Sequence, residues 1–513
     1  MQGARPDPGS PIVTSLALLA AAFWVHYLLV HDLLGLLTVD EIYFAHVFWL
    51  MREGLEPYSD FYSTHLPAYF RILGVLVPPA PPLDLSFVWT LRAVSALVVT
   101  AYAILLLRLA RRDFLFLLPL LLLFVTFARM AEIRPDTFGL LLFNVGWWWL
   151  LRGTGRVNIL LAAAFAGAAL FFSARAAVMI VGLALLCAWL CVRRRDWATF
   201  LYLVLLAVGL GAIAALAYVA DPTGFTRMVT SVYLDPIVLM PDLTIGQRVL
   251  SVDRLLLLAM ILAALAAALL AIARGKNRET ATVVAAACLT QLVLVVADPS
   301  PFQYVYGWAA LPTLAGIALL GRYSVRGLHA GLALAGSALA IGLVSLSLAQ
   351  AAAADRPPRP GSMLRITYDP PLSEAELRRA STPDLVSMMV RTERQQGLWN
   401  QLALLTEICR RVRGPVLAKF YAHPICLHDL RHDWAGLKWP PMLAGDPGSG
   451  SMREFEALFA RRPPELVAWG KQHFTPEPTP WGRSLLKDYD IHEGFALRRA
   501  PGPRRPSASR VRR

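Results

Sequence analysis

The ionisable residues Asp40, Glu41, Asp60, His65, Glu132, Arg134, Asp136 and Arg175 include the types that take a proton from a hydroxyl and the types that hold a phosphate. The adjacent carboxylates Asp40 and Glu41 follow an apolar run. Thr38-Val39-Asp40-Glu41 has the spacing of a capping box, in which Glu41 reaches back to the start of its helix. Asp40 is not needed for that cap. At a helix N-terminus its carboxylate stays ionised, able to accept a proton or hydrogen bond from an incoming hydroxyl. Arg134 and Arg175 carry planar guanidinium groups, which bind phosphate through paired hydrogen bonds. A salt bridge to Glu132 or Asp136 is the alternative use of Arg134. Asp136 follows Pro135, a favoured first-turn residue, so it either complements the helix dipole or takes part in a site. His65, in Tyr62-Ser63-Thr64-His65-Leu66-Pro67, is of the type that donates to phosphate or ligates metal, although a lone loop histidine more often does neither.

These residues must be held by membrane-spanning helices. The chain of 513 residues is 57% hydrophobic and 16% charged, with a mean hydropathy of +0.52, too apolar for a soluble protein of this size. Leu/Ala/Val-rich runs recur from Pro11 to Ala354, and at about 20 residues per crossing they predict roughly eleven spans. Basic clusters at Arg108/Arg111/Arg112, Arg152/Arg156, Arg193/Arg194/Arg195, Arg274/Lys276/Arg278 and Arg322/Arg326 fall at every second break. The net charge of +14 is therefore read as a topology signal rather than as a nucleic-acid surface. By the positive-inside rule the N-terminus is cytoplasmic, and the breaks at 38–87, 131–136, 173–175, 221–253 and 298–302 are external, in a cell inner (plasma) membrane. Arg134 and Arg175 are exceptions to that rule, and external cations at span ends need a reason.

The first external loop is expected to be structured. One amphipathic helix runs to about Glu53, with Gly54 ending it, and its stripe of Phe44, Val47, Phe48 and Met51 suits the membrane interface. A second short helix follows Pro67, directing Tyr69, Phe70 and Leu73 to lipid or protein. Beyond Ala354 a Pro/Arg linker leads to a soluble domain, 355–497. There Val416–Tyr421 and Glu465–Trp469, separated by a helical segment from Met452 to Arg461, suit strand, helix, strand. A basic tail, 498–513, is expected to be disordered. The whole reads as a membrane all-α bundle, 1–354, with interfacial helices in its first external loop and an α/β domain after it.

Five cysteines lack the spacing of a zinc site or disulfide framework. Cys187 and Cys191 read as packing residues, and Cys409 and Cys426 as a pair that an oxidising compartment would allow to bridge. The stretch from His423 to His432 resembles a metal site in composition but is interrupted by Pro424. No phosphate-cradling Gly loop, nucleophile elbow or HExxH helix is present. No cofactor is indicated, and a divalent metal is left open.

The chain resembles the GT-C glycosyltransferases, in particular bacterial relatives of the protein O-mannosyltransferases and of the aminoarabinose transferase that modifies lipid A. Asp40-Glu41 stands where that group has an acidic pair after its first span. Gly54-Leu55-Glu56-Pro57-Tyr58-Ser59-Asp60-Phe61 and His65-Leu66-Pro67 look like its first external loop. Arg134-Pro135-Asp136, the basic Arg175, and Gln303-Tyr304 preceding Pro312 extend the likeness over about residues 12–350. The resemblance implies inverting transfer of a hexose or pentose from a polyprenyl-phosphate donor to a cell-envelope acceptor (glycan, lipid or protein) at the external membrane face. It implies that Asp40 orients and deprotonates the acceptor hydroxyl, that Asp136 helps to shape the acceptor or sugar pocket, and that Arg134, Arg175 and His65 neutralise the leaving phosphate; Glu41 stands with Asp40 and Asp136 as a catalytic candidate. Asp60, Gln303 and Tyr304 are further site candidates. Many relatives have Lys at the position of Arg175, and some have an acidic-basic pair at Thr64-His65. The expected partners are the lipid-linked donor, the acceptor and membrane lipids, with no nucleic acid. A transporter or flippase of a lipid-linked or anionic substrate is the alternative, and the nearly charge-free middles of the spans disfavour it. A third reading is a receptor whose external domain binds a partner.

Overall fold

The computed structural model describes residues 39–52, 54–75 except 62 and 64, 86–110, 133–234, 252–275, 278–297, 305–323 and 373–392, with shorter pieces at 403–404, 407–408, 410–412, 414–418, 457, 459–468, 486–492 and 495–499. The first described helix, α1 (Val39–Arg52), ends where Gly54 takes φ +86°, a conformation that costs glycine least. Helix α2 (Pro67–Gly74) starts on a proline, whose fixed φ suits a first turn. The two pack together with α3 (Ser86–Ala110) around Phe44, Val47, Phe48, Tyr69, Phe70, Leu91 and Ile133. The stripe expected to lie in the membrane interface is thus covered by protein. Phe48 meets Tyr69 and Phe70 with ring centroids 5.3 and 5.0 Å apart, contacts that direct this face inward.

Seven further helices of the hydrophobic region follow: α4 (Pro135–Arg152), α5 (Arg156–Ala169), α6 (Arg175–Arg194), α7 (Trp197–Ala220), α9 (Val252–Ala273), α10 (Arg278–Ala297) and α11 (Val305–Tyr323). Between α7 and α9 lie a short helix, α8 (Pro222–Val229), and a π-helical segment, Thr230–Leu234. Among the described residues three helices are long and apolar enough to cross a membrane, Arg175–Arg194, Trp197–Ala220 and Arg278–Val296. The expected first span from Pro11, the run before Glu132 and the run after Arg326 lie outside the described residues.

Small residues let these helices approach closely, as helices in lipid do. A Cβ on Gly146 of α4 would come within 2.9 Å of the Ala162 carbonyl on α5. Trp147 and Trp308 fill the middle of the bundle, and Cys187 and Cys191 are buried free thiols packed in it. At one end, Arg194 bonds Glu279 at 2.6 Å and Arg156 bonds Asp196 at 2.9 Å, tying together three of the basic breaks. The 18 residues of α4 carry the chain about 27 Å from there to the opposite end.

Past the bundle, α12 (Glu374–Arg379) opens on a capping box between Ser373 and Glu376, and α13 (Thr382–Thr392) follows. Strands β1 (Val416–Ala418) and β2 (Leu466–Ala468) pair in parallel, with Val416 opposite Leu466. An antiparallel hairpin that sequence reasoning did not anticipate, β3 (Tyr489–His492) and β4 (Phe495–Arg498), completes the order β1-β2-β4-β3. Arg498 ends β4 and Arg499 pairs with Asp490 at 2.8 Å, so the sheet reaches two residues into the stretch expected as tail. Cys409, Cys426 and the histidines from His423 to His432 lie outside the described residues.

Candidate active site

The end of the bundle opposite the Arg194–Glu279 pair collects most of the ionisable residues singled out above. Asp136 occupies the first turn of α4, where the helix N-terminus favours a carboxylate. Its Oδ2 accepts from Arg175 Nη1 at 3.0 Å, and its Oδ1 accepts a short hydrogen bond from the Ser173 hydroxyl. Arg134 lies two residues before this carboxylate, at the entrance to the same helix. Arg134, the residue before α4, is extended and buried. Arg175 begins α6 and keeps about a quarter of its side chain exposed, 23% against 9% for Asp136. The close approach of Ser173 depends on Gly139, one turn along α4, where a Cβ would stand 2.8 Å from that of Ser173.

Asp40 and Glu41 lie in the first turn of α1. Of Asp40 the structure describes the backbone alone. Both carboxylate oxygens of Glu41 are engaged by Arg92 of α3, Nε to Oε1 at 3.0 Å and Nη2 to Oε2 at 2.9 Å, and Ile133 N–H approaches Oε1 at 3.5 Å. Thr38, the other half of the expected capping box, is outside the described residues. A carboxylate held by a guanidinium fork is poorly placed to act as a base, so Glu41 ties α1 to α3.

His65 sits edge-on to Phe44, with ring centroids 4.8 Å apart. Its carbonyl accepts from the Tyr58 hydroxyl at 2.5 Å and from Ser63 Oγ at 3.1 Å. Tyr58, at φ 68°, packs with Leu66 and with Val232 of the π-helical segment, and Ala174 borders the same contact. Arg227 Nη1 donates to the Tyr58 carbonyl at 3.3 Å, and Ser59 donates to Asp221 at 2.9 Å. The Gly224 N–H and the Ser59 hydroxyl hold the Asp221 carboxyl below the usual carboxylate range. Asp60 accepts from Glu56 N–H at 2.8 Å, a turn-stabilising bond on the exposed side of the loop. Gln303 and Tyr304 lie outside the described residues. Among the described residues no group of three or more His, Cys, Asp or Glu is placed to hold a metal ion.

Sequence reasoning missed Arg92, Ser173, Tyr58 and Asp221 as parts of this arrangement. Arg92 carried a signal, since a charge inside an apolar run implies a buried partner. Ser173 carried none beyond its neighbour Arg175.

The crystal structure of ArnT from Cupriavidus metallidurans in the apo state matches this chain with a TM-score of 0.51 at 14% sequence identity, over 95% of this chain and 98% of that one. The chain shares the fold of that ArnT structure. The ArnT crystal structure bound to undecaprenyl phosphate aligns over the same shares at 14% identity and a TM-score of 0.49. No family model and no curated protein matches the chain. Within this fold, the polar cluster of Arg134, Asp136, Ser173 and Arg175 lies at one end of the helices, where the chain enters α4 and α6.

Proposed function

We propose that this chain is an integral-membrane glycosyltransferase that moves a sugar from a polyprenyl-phosphate donor to a cell-envelope acceptor at the outer face of the membrane. The observation that carries the reading is the buried Asp136 held by Arg175 and Ser173 where the chain enters α4 and α6, with Arg134 immediately before α4, at one end of a bundle that shares the ArnT fold. The likeness of the Gly54–Pro67 loop to the lipid-linked sugar transferases supplies the donor class.

In the reaction the acceptor hydroxyl attacks the anomeric carbon as the bond from that carbon to the phosphate oxygen breaks, inverting the centre and releasing polyprenyl phosphate. Asp40 takes the hydroxyl proton. A phosphate leaving group needs charge stabilisation more than a proton, and fixed cations in a low-dielectric cleft provide it. Arg175 is suited to this because its exposed part remains available while Asp136 fixes the rest. Asp136 and Ser173 then act by orienting Arg175. Glu41 acts by holding α1, and Asp60 by stabilising its loop. Asp40→Asn should abolish transfer while the protein expresses and folds as before, and retained transfer would overturn this assignment.

We further read the chain as multi-pass in the inner (plasma) membrane, with about eleven spans, a cytoplasmic N-terminus, and the site and the sheet of β1–β4 outside. Cysteine accessibility at residues 59 and 195, tested from each side of the membrane, checks that orientation.

A further inference from the structure

The side chains of Arg92 and Glu41 are 0% and 2% exposed, which marks the pair as the most deeply buried ion pair among the described residues. It lies against the aromatic cluster of α1 and α2, close enough that the charge of Glu41 bears on the buried Tyr69. Stability alone does not call for such a pair, because apolar residues of similar volume often serve as well or better. What the fork of two parallel N–H···O bonds adds is orientation, since it fixes the guanidinium and carboxylate planes relative to each other.

Three segments meet at this fork. Arg92 is six residues into α3. Glu41 immediately follows Asp40 in the first turn of α1, so the fork sets the rotation of the turn that carries Asp40. The Ile133 N–H that approaches Glu41 Oε1 belongs to the residue before Arg134, at the entrance to α4. We infer that Arg92 is a positioning residue, which through Glu41 sets the placement of the Asp40 turn relative to the Arg134–Asp136 turn. The inference rests on the glycosyltransferase reading: one segment supplies the proton acceptor, the other supports the phosphate site, and the fork holds both to α3.

The test uses the full-length protein in lipid nanodiscs, with synthetic polyprenyl-phosphate pentoses and hexoses as donors, a cell-envelope fraction as the source of acceptor hydroxyls, and mass spectrometry of the released polyprenyl phosphate and glycosylated acceptor as readout. Glu41→Leu combined with Arg92→Met replaces the pair by apolar side chains. This variant should melt at the wild-type temperature and keep the wild-type KM for donor, while kcat falls about a hundredfold, the scale of a 1 Å misplacement. Arg92→Lys keeps the charge but not the fork, and carries the same test if the double variant fails to fold. Its kcat should fall at unchanged melting temperature. Wild-type kcat in either folded variant would overturn the inference and leave the glycosyltransferase reading standing. Asp40→Asn is assayed beside them: transfer retained there, with loss in the double variant, would instead overturn the role of Asp40.

Discussion

Replacing Gly139 by alanine should abolish most activity and leave most stability in place. The added Cβ would stand 2.8 Å from Ser173 Cβ and 3.5 Å from the Ala169 carbonyl. Carbon atoms rest at about 3.5–4.0 Å, so the turn carrying Ser173 and Arg175 must withdraw by roughly 1 Å. Overpacking of this kind costs about 1–3 kcal/mol. Against it, alanine is favoured over glycine inside a helix by about 1 kcal/mol. The net loss of stability is therefore about 0–2 kcal/mol, within what a folded protein tolerates. The site has no such compensation. Ser173 and Arg175 both bond Asp136, and a shift of about 1 Å in catalytic geometry lowers rate about a hundredfold. The assay is sugar transfer from a polyprenyl-phosphate donor beside a thermal melt of the same preparation. A Gly139→Ala protein with wild-type kcat would refute the claim that this close approach builds the site.

Other expectations concern single contacts. Arg175→Lys should keep the pairing with Asp136 but lose the planar fork for phosphate, weakening polyprenyl phosphate binding about tenfold in a fluorescence titration. The Ser59–Asp221 contact joins the loop before α2 to the start of α8. Because the Asp221 carboxyl is held below its ordinary value, its stabilising effect is complete above the unfolded value and is lost as pH falls through the lower folded one. The protection factors at 54–61 and 221–229, exchange rates divided into their intrinsic rates at each pH, should therefore be constant between about pH 5 and 8, an order-of-magnitude window for a carboxylate, and fall only in stronger acid. Asp221→Asn should show the lowered protection already at neutral pH. Arg411 donates to the carbonyls of Ala380, Leu377 and Arg378, so Arg411→Ala should expose the chain around 377–382 to limited proteolysis without altering the bundle.

The grouping of Arg134, Asp136 and Arg175 was legible because the charge alternation along the chain singles out those two arginines. Arg134 and Arg175 stood out as external cations, and the structure places both beside Asp136. The partner of Glu41 was not legible in the same way. A capping box is a local pattern, whereas the bond to Arg92 spans 51 residues of sequence and depends on how α1 packs on α3. The inward face of α1 was misjudged for a related reason. Phe44, Val47 and Phe48 form the same stripe whether lipid or Tyr69 and Phe70 cover it, and hydrophobic periodicity does not distinguish the two. The β3–β4 hairpin was overlooked although Glu493-Gly494 stands between two short alternating runs, because the Pro/Arg-rich residues after it dominated the composition.

The central claim is that Asp40 takes a proton from an acceptor while Arg134 and Arg175 receive a polyprenyl phosphate. It is tested most directly by incubating wild-type protein and Asp40→Asn, at equal melting temperature, with labelled polyprenyl-phosphate sugars and a cell-envelope fraction. The account predicts that wild type releases polyprenyl phosphate and labels the envelope, whereas Asp40→Asn still binds polyprenyl phosphate but transfers no sugar. Equal labelling by the two proteins would contradict it.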